Sequence, residues 1–86
     1  MPMVTVRYWA AAKQAAGVAQ ETLNAATLAD ALAAAAAGHA GSPDFQAALA
    51  RSSILVNGEQ AGGRAAETVP LDEGTVIEVL PPFAGG

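Results

Sequence analysis

Leu71–Gly86 reads LDEGTVIEVLPPFAGG, and these last sixteen residues decide how the rest of the chain is read. Asp72-Glu73-Gly74 is a turn signal, with a glycine available for the positive φ that tight turns need. Thr75–Leu80 follows as a strand in which Ile77 and Val79 point inward and Glu78 outward. Val76 and Leu80 fall on the side of Glu78, so two apolar residues lie on the face away from the core, as at many interfaces. Pro81-Pro82 ends the strand, because proline has no N–H for the ladder and prefers an extended φ. Phe83-Ala84-Gly85-Gly86 completes the sequence. This pattern divides the chain into a compact domain, residues 1–80, and a flexible C-terminal tail, residues 81–86.

Working back from this strand, Ile54-Leu55-Val56 is a short apolar run of the kind a buried strand shows, and Asn57-Gly58 directly after it is a tight-turn signal. Residues 61–68 are small and polar without periodicity and read as a loop. Met3–Trp9 alternates Val4, Val6 and Tyr8 with Thr5 and Arg7, as a strand does. Ala10–Ala16 reads as a short helix closed by Gly17, and Val18–Asn24 as a second strand. Thr27 with Asp30 three residues on is an N-cap with a capping-box spacing, and Leu28 and Leu32 share the face that follows. Gly38 and Gly41 end that helix. Ser42-Pro43 is a second start signal, with Phe45 and Leu49 as an apolar pair one turn apart. The order β-β-α-β-(β)-β predicts an α+β fold with first and last strands side by side and the helix packed across the sheet.

Composition narrows the function. With 86 residues the chain is one domain, too small to enclose a substrate by itself. The net charge is −4 and the four basic residues, Arg7, Lys13, Arg51 and Arg64, are scattered, so nucleic acid is not an expected partner. A mildly acidic surface suits a basic protein partner instead. Cysteine is absent, which removes disulfides, thiol nucleophiles and cysteinyl metal sites. Neither a signal peptide nor a membrane span is expected, and the reading is a soluble, cytoplasmic protein with no bound metal.

Chemistry concentrates in the tail. The six residues after Leu80 reach about 20 Å when extended, at roughly 3.3–3.6 Å each. Phe83 can fill an apolar pocket on a partner, while Gly85 and Gly86, lacking Cβ atoms, can thread a channel that rejects side chains. The reactive group is the terminal carboxylate of Gly86. ATP converts such a group to an acyl adenylate, from which sulfide displaces AMP and leaves a thiocarboxylate, a soft nucleophile able to donate its sulfur. A glycine pair at a chain end carries little weight alone. Gly-Gly directly after Pro-Pro-Phe-Ala, itself directly after a strand, carries much more.

At this point the sequence resembles the MoaD/ThiS family of ubiquitin-like sulfur carriers, and within it the small subunits of molybdopterin synthase. VRYWAAAKQAAG is similar to the family's first strand and short helix, with Lys13 where Arg is frequent; ILVNG matches its middle strand and turn; VPLDEGTVIEVLPPFAGG matches its last turn, strand and tail. The resemblance spans essentially the whole chain. It implies a β-grasp fold, a mixed sheet of four to five strands with one main helix across it. It implies that Gly86 is adenylated and carries the sulfur, that Gly85 threads a partner, and that Leu80, Pro81, Pro82, Phe83 and Ala84 contact the partner. The implied partners are an adenylating enzyme related to ubiquitin-activating enzymes, which uses the ATP, a sulfurtransferase, and the molybdopterin synthase large subunit in a heterotetramer. The sulfur then goes to a cyclic pterin precursor during molybdenum cofactor synthesis. No cofactor is expected on the chain, which is not a catalyst alone. Sulfur supply for thiamine or cysteine synthesis, and protein modification through Gly86, are the alternatives. Two departures from the family stand out: the Ala-rich stretch from Ala29 to Ala50, and Phe83 where Val is common.

The other polar residues read more plainly. His39, the only histidine, follows Gly38 without a His or Cys companion and reads as a surface-loop residue. Asp72 and Glu73 read as a solvated turn rather than a catalytic pair, and Arg7 and Lys13 as surface charges. Ser52-Ser53 lacks a strand-elbow-helix signature, and Gly62-Gly63-Arg64 lacks the length and lysine of a phosphate loop.

Overall fold

Val6 faces Ile77 and Tyr8 faces Val79 across a parallel strand pair, and this pairing of the first and last strands organises the molecule. The computed structural model describes residues 1–61 and 64–82. In chain order the elements are β1 (Met3–Tyr8), α1 (Ala10–Ala16), β2 (Gln20–Asn24), α2 (Leu28–Gly38), α3 (Pro43–Arg51), β3 (Ser53–Val56), β4 (Glu59–Gln60) and β5 (Val76–Leu80), with a 3₁₀ turn at Ala66–Thr68 before the last strand. Among the described residues the strands form one mixed sheet in the order β2-β1-β5-β3-β4. β1 and β5 run parallel, while the β1–β2, β3–β5 and β3–β4 pairs are antiparallel. This is the expected α+β, β-grasp architecture, with five strands.

Local chemistry sets most boundaries. Gly17 ends α1 with φ 78°, and its N–H donates to the Lys13 carbonyl. Thr27 Oγ1 accepts from the Asp30 N–H at 3.2 Å, and Ser42 Oγ accepts from the Phe45 N–H at 3.1 Å, so both N-caps predicted from sequence are in place. The helical region is thus two helices, α2 and α3, broken where Ser42-Pro43 restarts the chain. Asn57 and Gly58 have φ 50° and 84°, the positive pair of a type I′ hairpin turn. β2 starts at Gln20 rather than Val18, although one further cross-strand bond, from the Tyr8 N–H to the Ala19 carbonyl, precedes it.

One face of the sheet carries Val4, Val6, Tyr8, Ile77 and Val79, all buried. Leu28, Ala31 and Ala35 of α2, Phe45 and Ala48 of α3, and Ala12 of α1 cover it. Alanine at these contact positions lets the helices approach the sheet closely, and the few large side chains, Tyr8 and Phe45 above all, supply the volume. Leu28 N–H donates to the Val69 carbonyl and Leu71 N–H to the Ala26 carbonyl, tying the loop before β5 to the start of α2.

A polar network is set into this apolar layer. Tyr8 OH donates to Glu21 Oε2 at 2.9 Å, and His39 Nε2 lies 2.8 Å from Glu21 Oε1. The His39 ring stacks on Phe45 at 4.3 Å between centroids, and Tyr8 meets Phe45 edge-on at 5.3 Å. Burial, and then the hydrogen bond and charge of Glu21, push the Tyr8 phenol well above its ordinary pKa. His39 therefore differs from the surface-loop residue expected of it: only 14% of its side chain is exposed. The α2 C-cap turns the ring back toward β2, where Glu21 shares the core-facing side with Leu23. Gln46 Nε2 closes the same corner by donating to the Ala36 and His39 carbonyls, which also accept from the His39 and Ser42 N–H groups.

Candidate functional site: the tail root and the open sheet face

The strand that leads into the tail is not an edge strand. β5 lies between β1 and β3, so its backbone is engaged on both sides up to its last residues. Trp9 N–H donates to the Val79 carbonyl at 3.2 Å, and Leu80 sits opposite Ser53 of β3. Beyond Leu80, Pro81 is buried and Pro82 exposed, so the chain leaves the body of the domain between these two prolines. Of the site residues expected from sequence, Leu80, Pro81 and Pro82 are brought together at this root. Phe83, Ala84, Gly85 and Gly86 lie outside the described residues.

The face of the sheet away from the helices runs past the root. Arg7 of β1, Glu78 of β5, Leu55 of β3 and Gln60 of β4 stand in one register row across it. Val76 and Leu80 are half-buried on this face, so the two outward apolar residues read from sequence are placed there. Trp9 lies across the end of the β1–β5 pair: its Nε1–H donates to Glu78 Oε2 at 3.0 Å, and the Arg7 guanidinium sits 5.1 Å from its ring centroid. The indole is 39% exposed yet held from both ends. Sequence reading passed over this trio, treating Arg7 as a lone surface charge. Strand parity could have found it, since residue 7 of β1 and residue 9, just past its end, have the same parity and residue 78 lies on the matching face of β5, once the two strands are known to be neighbours.

The opposite end of β5 is secured by its turns. Glu73 Oε1 accepts from the Met3 N–H at 2.8 Å, and Gly74, with φ 85°, donates its N–H to the Met3 carbonyl at 2.9 Å. Glu73 thus anchors β1, while Asp72 closes the turn on Thr75, its N–H donating to Thr75 Oγ1 and its carbonyl accepting from the Thr75 N–H. Among the described residues no cluster of three His, Cys, Asp or Glu side chains could hold a metal ion, and no helix is long and apolar enough to cross a membrane.

A mixed β-grasp sheet with helices on one face, whose central strand runs into Pro81-Pro82, defines a ubiquitin-like domain. Residues 6–86 match the ThiS family, and the chain belongs to that family. Its fold is that of several solved structures. The small archaeal modifier protein 1 (SAMP1) of Methanosarcina acetivorans is similar at 22% identity over 100% of this chain and 98% of its own, with a TM-score of 0.82. A Pyrococcus furiosus protein assigned as molybdopterin converting factor subunit 1 is 26% identical over 96% of this chain and 100% of its own, with a TM-score of 0.77. A chain in the complex of subunits 1 and 2 of the molybdopterin-converting factor from Helicobacter pylori is 25% identical over 98% of this chain and 99% of its own, with a TM-score of 0.67. A comparison with curated proteins returned no match.

Proposed function

We propose that this protein is a sulfur carrier for molybdopterin synthesis and that the carboxylate of Gly86 is its working group. The observation that carries the reading is a central strand, paired on both sides, that delivers Pro81-Pro82 directly into Phe83-Ala84-Gly85-Gly86. A Gly86 carboxylate oxygen attacks the α-phosphorus of ATP, held by an activating partner, and pyrophosphate leaves. Sulfide supplied by a sulfurtransferase adds to the acyl carbon, and AMP departs with the oxygen, leaving a thiocarboxylate. The absence of a Cβ at Gly85 and Gly86 keeps that carbon open to both reagents. The thiocarboxylate then gives its sulfur to a cyclic pterin precursor held by the large subunit. Two similar structures support the pterin route, the converting-factor subunits at 26% and 25% identity, one of them solved with subunit 2. Leu80, Val76 and the clamped Trp9 supply a face beside the tail root on which the activating enzyme and the large subunit sit in turn.

Intact-mass analysis of the untagged protein, incubated with the activating enzyme, ATP and a sulfide source, tests this. The expected product gains the mass of one oxygen-to-sulfur exchange, and the chain lacking Gly86 gains nothing while keeping its fold. Ladders on other proteins in place of that exchange would mark a protein modifier. Exchange without binding to a molybdopterin synthase large subunit would move the carrier to the thiamine or cysteine route.

A further inference from the structure

Asn57-Gly58 is the only Asn-Gly pair in the sequence, and both residues are exposed. They form the two-residue turn between β3 and β4, with φ 50° and 84°. Asn57 is also bridged to β5: its N–H donates to the Val76 carbonyl at 2.8 Å, and its side-chain Oδ1 accepts from the Val76 N–H at 2.9 Å. Val76 is the first residue of β5, the strand that ends at the tail root. The hairpin that carries the turn is short, with Leu55↔Gln60 and Val56↔Glu59 as its pairs at the edge of the sheet.

We propose that Asn57 is a self-modification site, a deamidation point held shut by the folded turn and opened by fraying of the β3–β4 edge. In the open chain the Gly58 nitrogen, with no neighbouring Cβ to hinder it, gives up its proton and bonds to the side-chain carbonyl carbon of Asn57. The bond from that carbon to the side-chain nitrogen breaks and ammonia leaves, closing a five-membered imide. Water then opens the imide at either carbonyl, giving aspartate or isoaspartate, and no oxidation change occurs. The closed turn forbids the first bond. Attack requires the Gly58 nitrogen to swing behind the Asn57 side chain, a main-chain rotation that reverses the type I′ turn, and Oδ1 is meanwhile engaged by Val76. A two-residue edge strand is where local opening is easiest.

The two products differ in consequence. Aspartate keeps an oxygen where Val76 N–H needs an acceptor. Isoaspartate adds a methylene to the main chain within a two-residue turn, so the hairpin loses its register and β5 its bridge. Ageing of this chain therefore starts beside the strand that leads to the tail, whatever cargo the tail carries.

The test follows the full-length chain in mildly alkaline buffer, with peptide mapping that separates asparagine, aspartate and isoaspartate at position 57. The two hydrogen bonds to Val76 give the closed turn a protection of roughly 30-fold over the urea-unfolded chain. The folded rate is expected to rise with sub-denaturing urea in step with hydrogen exchange of the Asn57 N–H, which donates to the Val76 carbonyl and is freed only when the hairpin edge opens away from β5. Asn57→Asp is expected to unfold at the urea midpoint of the parent, and the isoaspartate fraction at a lower one. Equal deamidation rates in the folded and unfolded chains would overturn the proposal, as would a folded rate indifferent to edge opening.

Discussion

Alkaline pH acts on one buried group in this fold. Tyr8 is 2% exposed and donates its hydroxyl proton to Glu21, so the folded state holds that proton more tightly than the unfolded chain does. Above about pH 10, where an ordinary tyrosine ionises, the unfolded state binds fewer protons than the folded one, and stability must fall as pH rises. Below that pH the contribution is fully present. The limiting slope is about 1.4 kcal/mol per pH unit for one proton, and between pH 9 and pH 11 the integrated loss is also about 1.4 kcal/mol. In a domain of this size that is a fall in Tm of roughly 6–11 °C. Urea melts at pH 9, 10 and 11, run in parallel on the parent and on Tyr8→Phe, isolate it, because every other titrating group is common to both. Tyr8→Phe starts lower at pH 7, by about 1.5 kcal/mol. That is the low end of the range for a hydrogen bond to a charged group, since Glu21 is partly exposed and keeps His39 as a partner. Its curve is then flatter above pH 10. Identical alkaline slopes in the two proteins would refute the reasoning.

Two further predictions concern the scaffold. Ala10 has φ 50° at the junction of β1 and α1, a conformation that costs an L-residue about 1–2 kcal/mol, so Ala10→Gly is expected to raise stability by about 0.5–1 kcal/mol in a urea melt. Phe45→Ala removes a fully buried ring that touches both Tyr8 and His39. It is expected to cost about 3–5 kcal/mol and to uncover His39, seen as faster ring-proton exchange by NMR.

What was legible in the sequence was what local chemistry decides. Gly17, Thr27 with Asp30, Ser42-Pro43 and Asn57-Gly58 each fix a cap or turn through their own side chain or missing Cβ, and each is where the sequence put it. Strand parity was equally readable, since Ile77 and Val79 are buried and Val76 and Leu80 are on the other face. The rest depends on pairings between distant segments. The Arg7–Trp9–Glu78 trio exists only because β1 and β5 are neighbours in a particular register, and a shift of one residue would put Glu78 on the other face. His39 was misplaced for the same kind of reason: its environment is made by Glu21, 18 residues away, and by Phe45 on the next helix. β4 has two residues, too few for any periodicity to show.

On the proposed function, the position of β5 explains how so small a chain serves as a carrier. A strand at the edge of the sheet would have one free row of backbone donors and acceptors, and its last residues would fray. Here Leu80 is held beside β3, and the Val79 carbonyl is taken by Trp9, so the point of departure is fixed to the last paired residue. Pro81 is packed in and contributes no N–H, so the chain can leave the sheet without stranding a donor. From that fixed root the remaining residues span at most about 20 Å. On the proposed function, an enzyme that works on Gly86 brings its reacting atoms within that radius and rests on the surface around Trp9 and Leu80. On that reading the domain fixes where Gly86 can be found, and the partner that docks there provides the chemistry.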